Sequence, residues 1–136
     1  MNIIIVGGAG YIGSVVSRKL YDEGHKIRII DRNIFLSDVD HCDNFTNLDI
    51  RDLEIEHFEH ADIVLDYSGL SNDPSGDISE ELTTDINING RKRIAECAKA
   101  AGVKRYVFAS TCSVYGTVES RVTVDENHMV KPLTTY

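Results

Sequence analysis

Basic charge is scarce in this sequence: 14 Lys and Arg stand against 22 Asp and Glu, a formal net charge of −8. Nucleic acids and anionic membrane surfaces are gripped with basic faces, so both partner classes are argued against. No block of like charges occurs, and the acids are spread over many segments as on a solvated surface. Cysteine is sparse as well. Cys42, Cys97 and Cys112 lie far apart with no Cys-x-x-Cys pair, which implies reduced thiols in a cytoplasmic protein rather than a disulfide framework. Long hydrophobic runs are missing: the apolar start lacks a positive flank and Gly7 cuts it short, so neither a leader peptide nor a membrane span is expected. There is no internal repeat and no low-complexity segment. What remains is one domain, residues 1–136, with enough chain to bury a core.

Against that background stands "GGAGYIG" (7–13), directly after "NIIIV" (2–6). The apolar run is short, β-branched and continuous, which suits a parallel strand covered on both faces. From about Gly10 to Glu23 the pattern is helical, with Ile12, Val15, Val16, Lys19 and Leu20 near one stripe and Gly24 as the stop. Further strands are expected at "KIRII" (26–30), ending at Asp31, at "TNLDI" (46–50), "DIVLDY" (62–67) and "RYVFAS" (105–110), the last one buried. A short helix fits "DLEIEHF" (52–58). A longer one fits 83–102, with Ile86, Ile94, Ala95, Ala98 and Ala101 on its apolar face. The stretch "SGLSNDPSGD" (68–77) is rich in turn formers. Strands alternating with helices call for a parallel sheet with right-handed crossovers, here a Rossmann-type doubly wound α/β fold of strand order 3-2-1-4-5.

In that setting the glycines acquire separate tasks. Gly7 permits a tight turn off the strand, Gly10 lets a pyrophosphate approach the main chain, and Gly13 lets the helix pack close to the sheet. The free N–H groups at the helix start, including those of Tyr11 and Ile12, then point at phosphate oxygens. Asp31, eighteen residues beyond Gly13, can accept from both ribose hydroxyls and would repel a 2′-phosphate, which favours NAD over NADP. Arg32 pulls the other way, since an arginine there can hold that phosphate.

These ordered motifs resemble the extended short-chain dehydrogenase/reductase family, the NAD-dependent sugar-nucleotide epimerases and dehydratases. "GGAGYIG" is similar to its dinucleotide loop and "IIDR" to its second strand end. "LDIRD" (48–52) is similar to the segment that meets the adenine, here through Asp49 and Ile50. "DININGRKRIAECAKAAGVKRYVFASTCSVYG" (85–116) resembles the stretch from its Asn-x-x-Gly element to its Ser-Ser-x-x-Val-Tyr-Gly motif. The resemblance implies NAD as cofactor, a nucleotide sugar as substrate, and a homodimer in the full-length form. It makes Asn87 the structural asparagine, assigns Ser68, Gly69, Leu70 and Ser110 to the cofactor, and puts Thr111 at the catalytic Ser/Thr position. "KPLTTY" resembles the approach to the proton-transferring tyrosine, so that role falls to Tyr136, while hydride moves to the nicotinamide. A free tyrosine has a pKa of about 10, so such a base needs its phenolate favoured by roughly 4 kcal/mol.

Two departures stand out. Where the family has His-Leu-Ala-Ala after the fourth strand, this chain has Asp66, Tyr67, Ser68 and Gly69; "SNDP" (71–74) is like a variant in some epimerase-like members. The family's lysine lies four residues after the tyrosine, where this sequence stops. The 136 residues are therefore expected to be part of a longer chain, inactive alone, with apolar surface left bare where the next helix would lie.

Other features carry blander expectations. His57 and His60 sit at i, i+3 and His41 abuts Cys42, yet no third and fourth ligand converge, so no metal site is expected and solvated histidines are. Cys112 has no histidine partner and reads as a small packing residue. The rival to an enzyme is a non-catalytic NAD(P)-binding regulatory or redox-sensing module on the same fold.

Overall fold

The computed structural model describes residues 1–136 apart from 72, 77, 120 and 121; residue 72 of the "SNDP" stretch thus lies outside the described residues. Five parallel strands, β1 (Asn2–Val6), β2 (Lys26–Asp31), β3 (Asn44–Asn47), β4 (Ile63–Asp66) and β5 (Arg105–Phe108), form one sheet in the order β3-β2-β1-β4-β5. Each connection is a crossover. Helix α1 (Tyr11–Asp22) follows β1, and α2 (Asp73–Gly76), α3 (Glu80–Thr84) and α4 (Arg91–Ala100) lie between β4 and β5. The fold is the expected doubly wound Rossmann type.

β1 is central because both of its faces are apolar. Ile4 and Val6 pack with Leu53, Phe58, Val64, Ile94 and Ala98 on the α4 side, while Ile3 and Ile5 pack with Ile27, Ile29, Leu20 and Phe45 on the α1 side. Each such fully buried aliphatic side chain contributes about 1.5–3 kcal/mol relative to exposure. The switch in crossover direction beside β1 opens a crevice at the carboxyl ends of β1 and β4, the position where open α/β sheets bind ligands.

Several local expectations needed correction. On α1 the inward stripe is Gly13, Ser17, Val16 and Leu20; Ile12, Val15 and Lys19 are exposed. The helix stops as expected, with Gly24 N–H donating to Tyr21 O and His25 N–H to Leu20 O, a Schellman pair. β3 begins two residues earlier than "TNLDI" because Asp43 staples it to β2: its carboxylate accepts from Ile27 N–H at 2.7 Å and its own N–H donates to Ile27 O. Asp49 then leaves the ladder to cap a 3₁₀ turn at Ile50–Asp52. In place of a helix over 52–58 there is a second 3₁₀ turn, Ile55–Phe58, enough to bury Leu53 and Phe58.

The helix expected over 83–102 is interrupted by a wide π turn, Asp85–Gly90, between α3 and α4. Gly90 lies against Ile50 so closely that a Cβ would come within 2.7 Å of it. The buried face of α4 is Ile94, Cys97 and Ala98, with Ile86 and Ala101 partly covered. β5 is not buried, since Val107 and Phe108 are exposed. Cys112 is exposed rather than packed. His41, in contrast to the solvated state expected of it, is 3% exposed, and its Nε2 lies 2.6 Å from Ser17 Oγ under α1.

Candidate functional site: a dinucleotide crevice

The mouth of the crevice is main chain. Gly7 leaves β1 with φ +77°, a left-handed conformation that costs an ordinary residue about 1–2 kcal/mol. Its N–H donates to Ile30 O at 2.8 Å, and Gly10 N–H returns to Gly7 O at 3.1 Å. A Cβ on Gly7 would lie 2.6 Å from Ser68 N, and one on Gly13 would strike Gly7 O and stand 2.8 Å from Gly8 Cα. Those two positions admit only hydrogen because the loop is folded onto itself and onto β4. Gly10 differs, since a Cβ there would meet only Gly7 O, at 3.2 Å.

Gly10 is also the N-cap of α1, and no side chain caps the helix. The first-turn N–H groups, those of Tyr11 and Ile12 among them, have no intrahelical acceptor. The Tyr11 and Ile12 side chains are 93% and 58% exposed, so neither plugs the mouth. Bare donors at the positive end of a twelve-residue helix fit a diphosphate.

On the β2 side, Asp31 ends its strand beside this loop. Its Oδ2 accepts from Ala9 N–H at 3.0 Å and its Oδ1 from Asn33 N–H at 2.7 Å. The carboxylate therefore positions the loop, and each oxygen retains a lone pair for a hydroxyl donor. Arg32 lies 3.4 Å from Asp49. Asp49 itself receives a two-pronged arginine: Arg51 Nε at 2.9 Å and Nη2 at 2.8 Å, with Arg51 N–H at 3.0 Å. Arg51 reaches on to Asp85 at 3.0 Å, tying the 3₁₀ turn to the π turn. Ile50, next in sequence, is buried, so only its main chain could face a base.

The Arg51 hydrogen bonds hold the Asp49 carboxyl below the usual carboxylate range. A folded-state value below the unfolded one stabilises above about pH 4 and is lost as pH falls through the folded value. Asp49→Asn should cost about 0.5–1 kcal/mol at neutral pH, as a solvent-screened pair does. The difference from the unsubstituted chain should vanish in acid, which urea titrations at pH 7 and pH 3 would reveal.

The opposite wall is the turn after β4. Asn87 grips Leu70 through both main-chain groups, accepting from its N–H at 2.8 Å and donating to its carbonyl at 3.0 Å. Gly69, with φ +123°, lies against Asn87 and Arg91. The sequence reading named Ser68, Gly69, Leu70 and Asn87 but missed Arg91, Asp66 and Tyr106. Arg91 donates to Ser68 O and stacks 4.6 Å from the Phe108 ring centroid. Asp66 is fully buried. The signal was present in the substitution of Asp66 for the family's histidine, but its partner, forty residues on, is visible only in the fold.

Ser110, Thr111 and Tyr136 complete the set. Ser110 is exposed just beyond β5. Thr111 caps the 3₁₀ turn Cys112–Tyr115: its Oγ1 accepts from Ser113 N–H at 3.2 Å and donates to Ser113 Oγ at 3.3 Å. Tyr136 is half-buried and packs near Gly76 of α2, where a Cβ would come 3.3 Å from the tyrosine's own. No hydrogen bond joins Thr111 to Tyr136 among the described residues. Nor, among them, is there a cluster of three metal-ligating side chains or a helix long and apolar enough to cross a membrane.

Comparison with known proteins matches the geometry. The model of the NAD dependent epimerase/dehydratase family matches residues 3–136. A putative UDP-glucose 4-epimerase of Methanocaldococcus jannaschii is 30% identical over 141 residues, covering 98% of this chain and 46% of the relative. The UDP-glucose 4-epimerase of Streptomyces lividans is likewise 30% identical, with 98% of this chain and 42% of the relative covered. The chain thus spans less than half the length of these two curated relatives. Among solved structures, the UDP-glucose-4-epimerase from Stenotrophomonas maltophila, with bound NAD and formylated UDP-arabinopyranose, superposes with a TM-score of 0.89 at 29% identity. It covers all of this chain and 44% of that one.

Proposed function

Because this chain belongs to the NAD-dependent epimerase/dehydratase family, we propose that it holds NAD in the crevice above β1 and β4. We propose further that the protein acts on a nucleotide sugar, as the UDP-glucose 4-epimerases similar to it do. The observation that carries this reading is the start of α1, uncapped by any side chain and flanked by the Asp31 carboxylate. The α1 N–H groups take the diphosphate, and Asp31 accepts from the adenosine ribose and disfavours a 2′-phosphate. The Asp49–Ile50 turn lies along the adenine, and the Ser68–Leu70 turn borders the nicotinamide half. NAD, when bound, supplies the hydride acceptor. Tyr136, as its phenolate, takes the proton from the sugar hydroxyl, and Thr111 turns its hydroxyl from Ser113 to the substrate oxygen. Geometry of this kind, more than any new bond, sets the rate of proton transfer.

Fluorescence titration with NADH and NADPH, alongside a UDP-galactose to UDP-glucose conversion assay on the purified protein, tests the proposal. NADH should bind at least about tenfold more tightly than NADPH, a 1.4 kcal/mol preference, and Asp31→Ala should narrow that gap. A preference for NADPH would overturn the role of Asp31. NADH binding by the full-length protein without conversion of any nucleotide sugar would favour the regulatory module.

A further inference from the structure

Behind the crevice wall lies a polar network that the family resemblance does not explain. The Asp66 carboxylate, fully buried at the end of β4, accepts three hydrogen bonds. Ser68 N–H and Ser68 Oγ reach Oδ1 at 2.9 Å and 2.6 Å, and Tyr106 OH of β5 reaches Oδ2 at 2.7 Å. Arg91 of α4 donates to Ser68 O from the other side. A buried carboxylate is expensive even when it is well bonded, and an apolar side chain would pack the same space at lower cost. Asp66 and Arg91 both bond Ser68, Tyr106 braces Asp66 from β5, and the Ser68 main chain abuts the loop at Gly7. Asn87 fixes Leu70 two residues later. The turn is thus held at successive main-chain groups, and Gly69 between them leaves room for Asn87 and Arg91, which a Cβ there would strike.

We propose that Asp66, Tyr106 and Arg91 are positioning residues that fix the Ser68–Leu70 turn as a rigid wall for the nicotinamide half of the dinucleotide. Resting on the function proposed above, the inference makes a demand that simple packing does not. Loss of the network should weaken ligands that reach the wall and spare those that stop short of it. ADP carries the adenosine and diphosphate but not the nicotinamide riboside, so it reports the β1–β2 side alone.

The test is equilibrium binding of NADH and of ADP to the intact protein and to Tyr106→Phe, Asp66→Asn and Arg91→Lys, with thermal midpoints recorded in parallel. Asp66→Asn should weaken NADH about tenfold and Tyr106→Phe about fivefold, the scale of a lost hydrogen-bond partner. ADP affinity should stay within about twofold, because its contacts lie on the other wall. Arg91→Lys, which keeps the charge but loses the planar fork, should fall in the same direction. Should Asp66→Asn fail to fold, Tyr106→Phe decides, since it removes a single oxygen. NADH and ADP weakening together in step with the thermal midpoint would overturn the inference, as would NADH affinity unchanged in Tyr106→Phe. If the unsubstituted protein bound neither nucleotide, both this inference and the function it rests on would fall. Unaltered binding in the variants would remove the inference alone.

Discussion

Replacing Gly13 by alanine should lower stability by about 3 kcal/mol, at the upper end for overpacking, and abolish NADH binding. The added methyl has nowhere to go, since it lands on Gly7 O and near Gly8 Cα, both main chain. No flexible side chain can yield, so either α1 slides away from β1 or the loop opens. For a chain of this size the loss corresponds to a thermal midpoint lower by about 10 °C. Once the loop shifts, the first-turn N–H groups no longer converge, and affinity should drop at least a hundredfold, about 2.7 kcal/mol. Gly10→Ala supplies the control. Its methyl meets only Gly7 O at 3.2 Å, so the thermal midpoint should move little. The same methyl projects where the diphosphate must approach, and NADH binding should still be lost. Circular dichroism melts with fluorescence titrations separate the two variants; a Gly10→Ala chain that binds NADH normally would remove the crevice as the nucleotide site.

Tyr136→Phe should have the opposite profile: binding kept, chemistry lost. If Tyr136 is the group that exchanges a proton with the sugar hydroxyl, removing its oxygen should lower kcat about a thousandfold, within the usual range for a general acid–base group. NADH affinity should change by no more than about twofold, because the substitution removes one oxygen and leaves the Tyr136 main chain and Cβ beside Gly76 unaltered. Thr111→Ala should lower kcat less and raise KM if, as proposed, that hydroxyl orients the substrate oxygen; the folded chain gives up only its bonds to Ser113. Steady-state kinetics of UDP-sugar interconversion by the full-length protein provides the measurement. A Tyr136→Phe protein with more than a tenth of normal turnover would take the proton-transfer role away from this residue.

The sheet was readable because its signals are local and redundant. After Asn2, "IIIV" has no polar position to place at a surface, so it had to become a central strand, and the glycine spacing after it allowed one kind of turn. β3 was misplaced because its start depends on Asp43 reaching across to Ile27, a bond between residues sixteen apart that no window of sequence contains. The α1 stripe was misread for a related reason. Ile12 and Val15 look like core by hydrophobicity, but the helix must lie on Gly13 to approach the sheet, and that contact turns them outward. Hydrophobicity ranks candidates for the core; close packing chooses among them.

What the amino-acid sequence determined by itself was the order of elements, the glycine loop and the acid that follows it, each encoded within a few neighbouring residues through backbone sterics and hydrophobic period. What only the tertiary structure decided was which polar groups meet. Arg51 with Asp85, His41 with Ser17, and above all Asp66 with Tyr106 are pairs made by the crossovers. A buried charge or ring nitrogen is tolerable only where donors from distant segments arrive within hydrogen-bond distance. That arrival is a property of the packed sheet and helices, and no single stretch of the chain carries it.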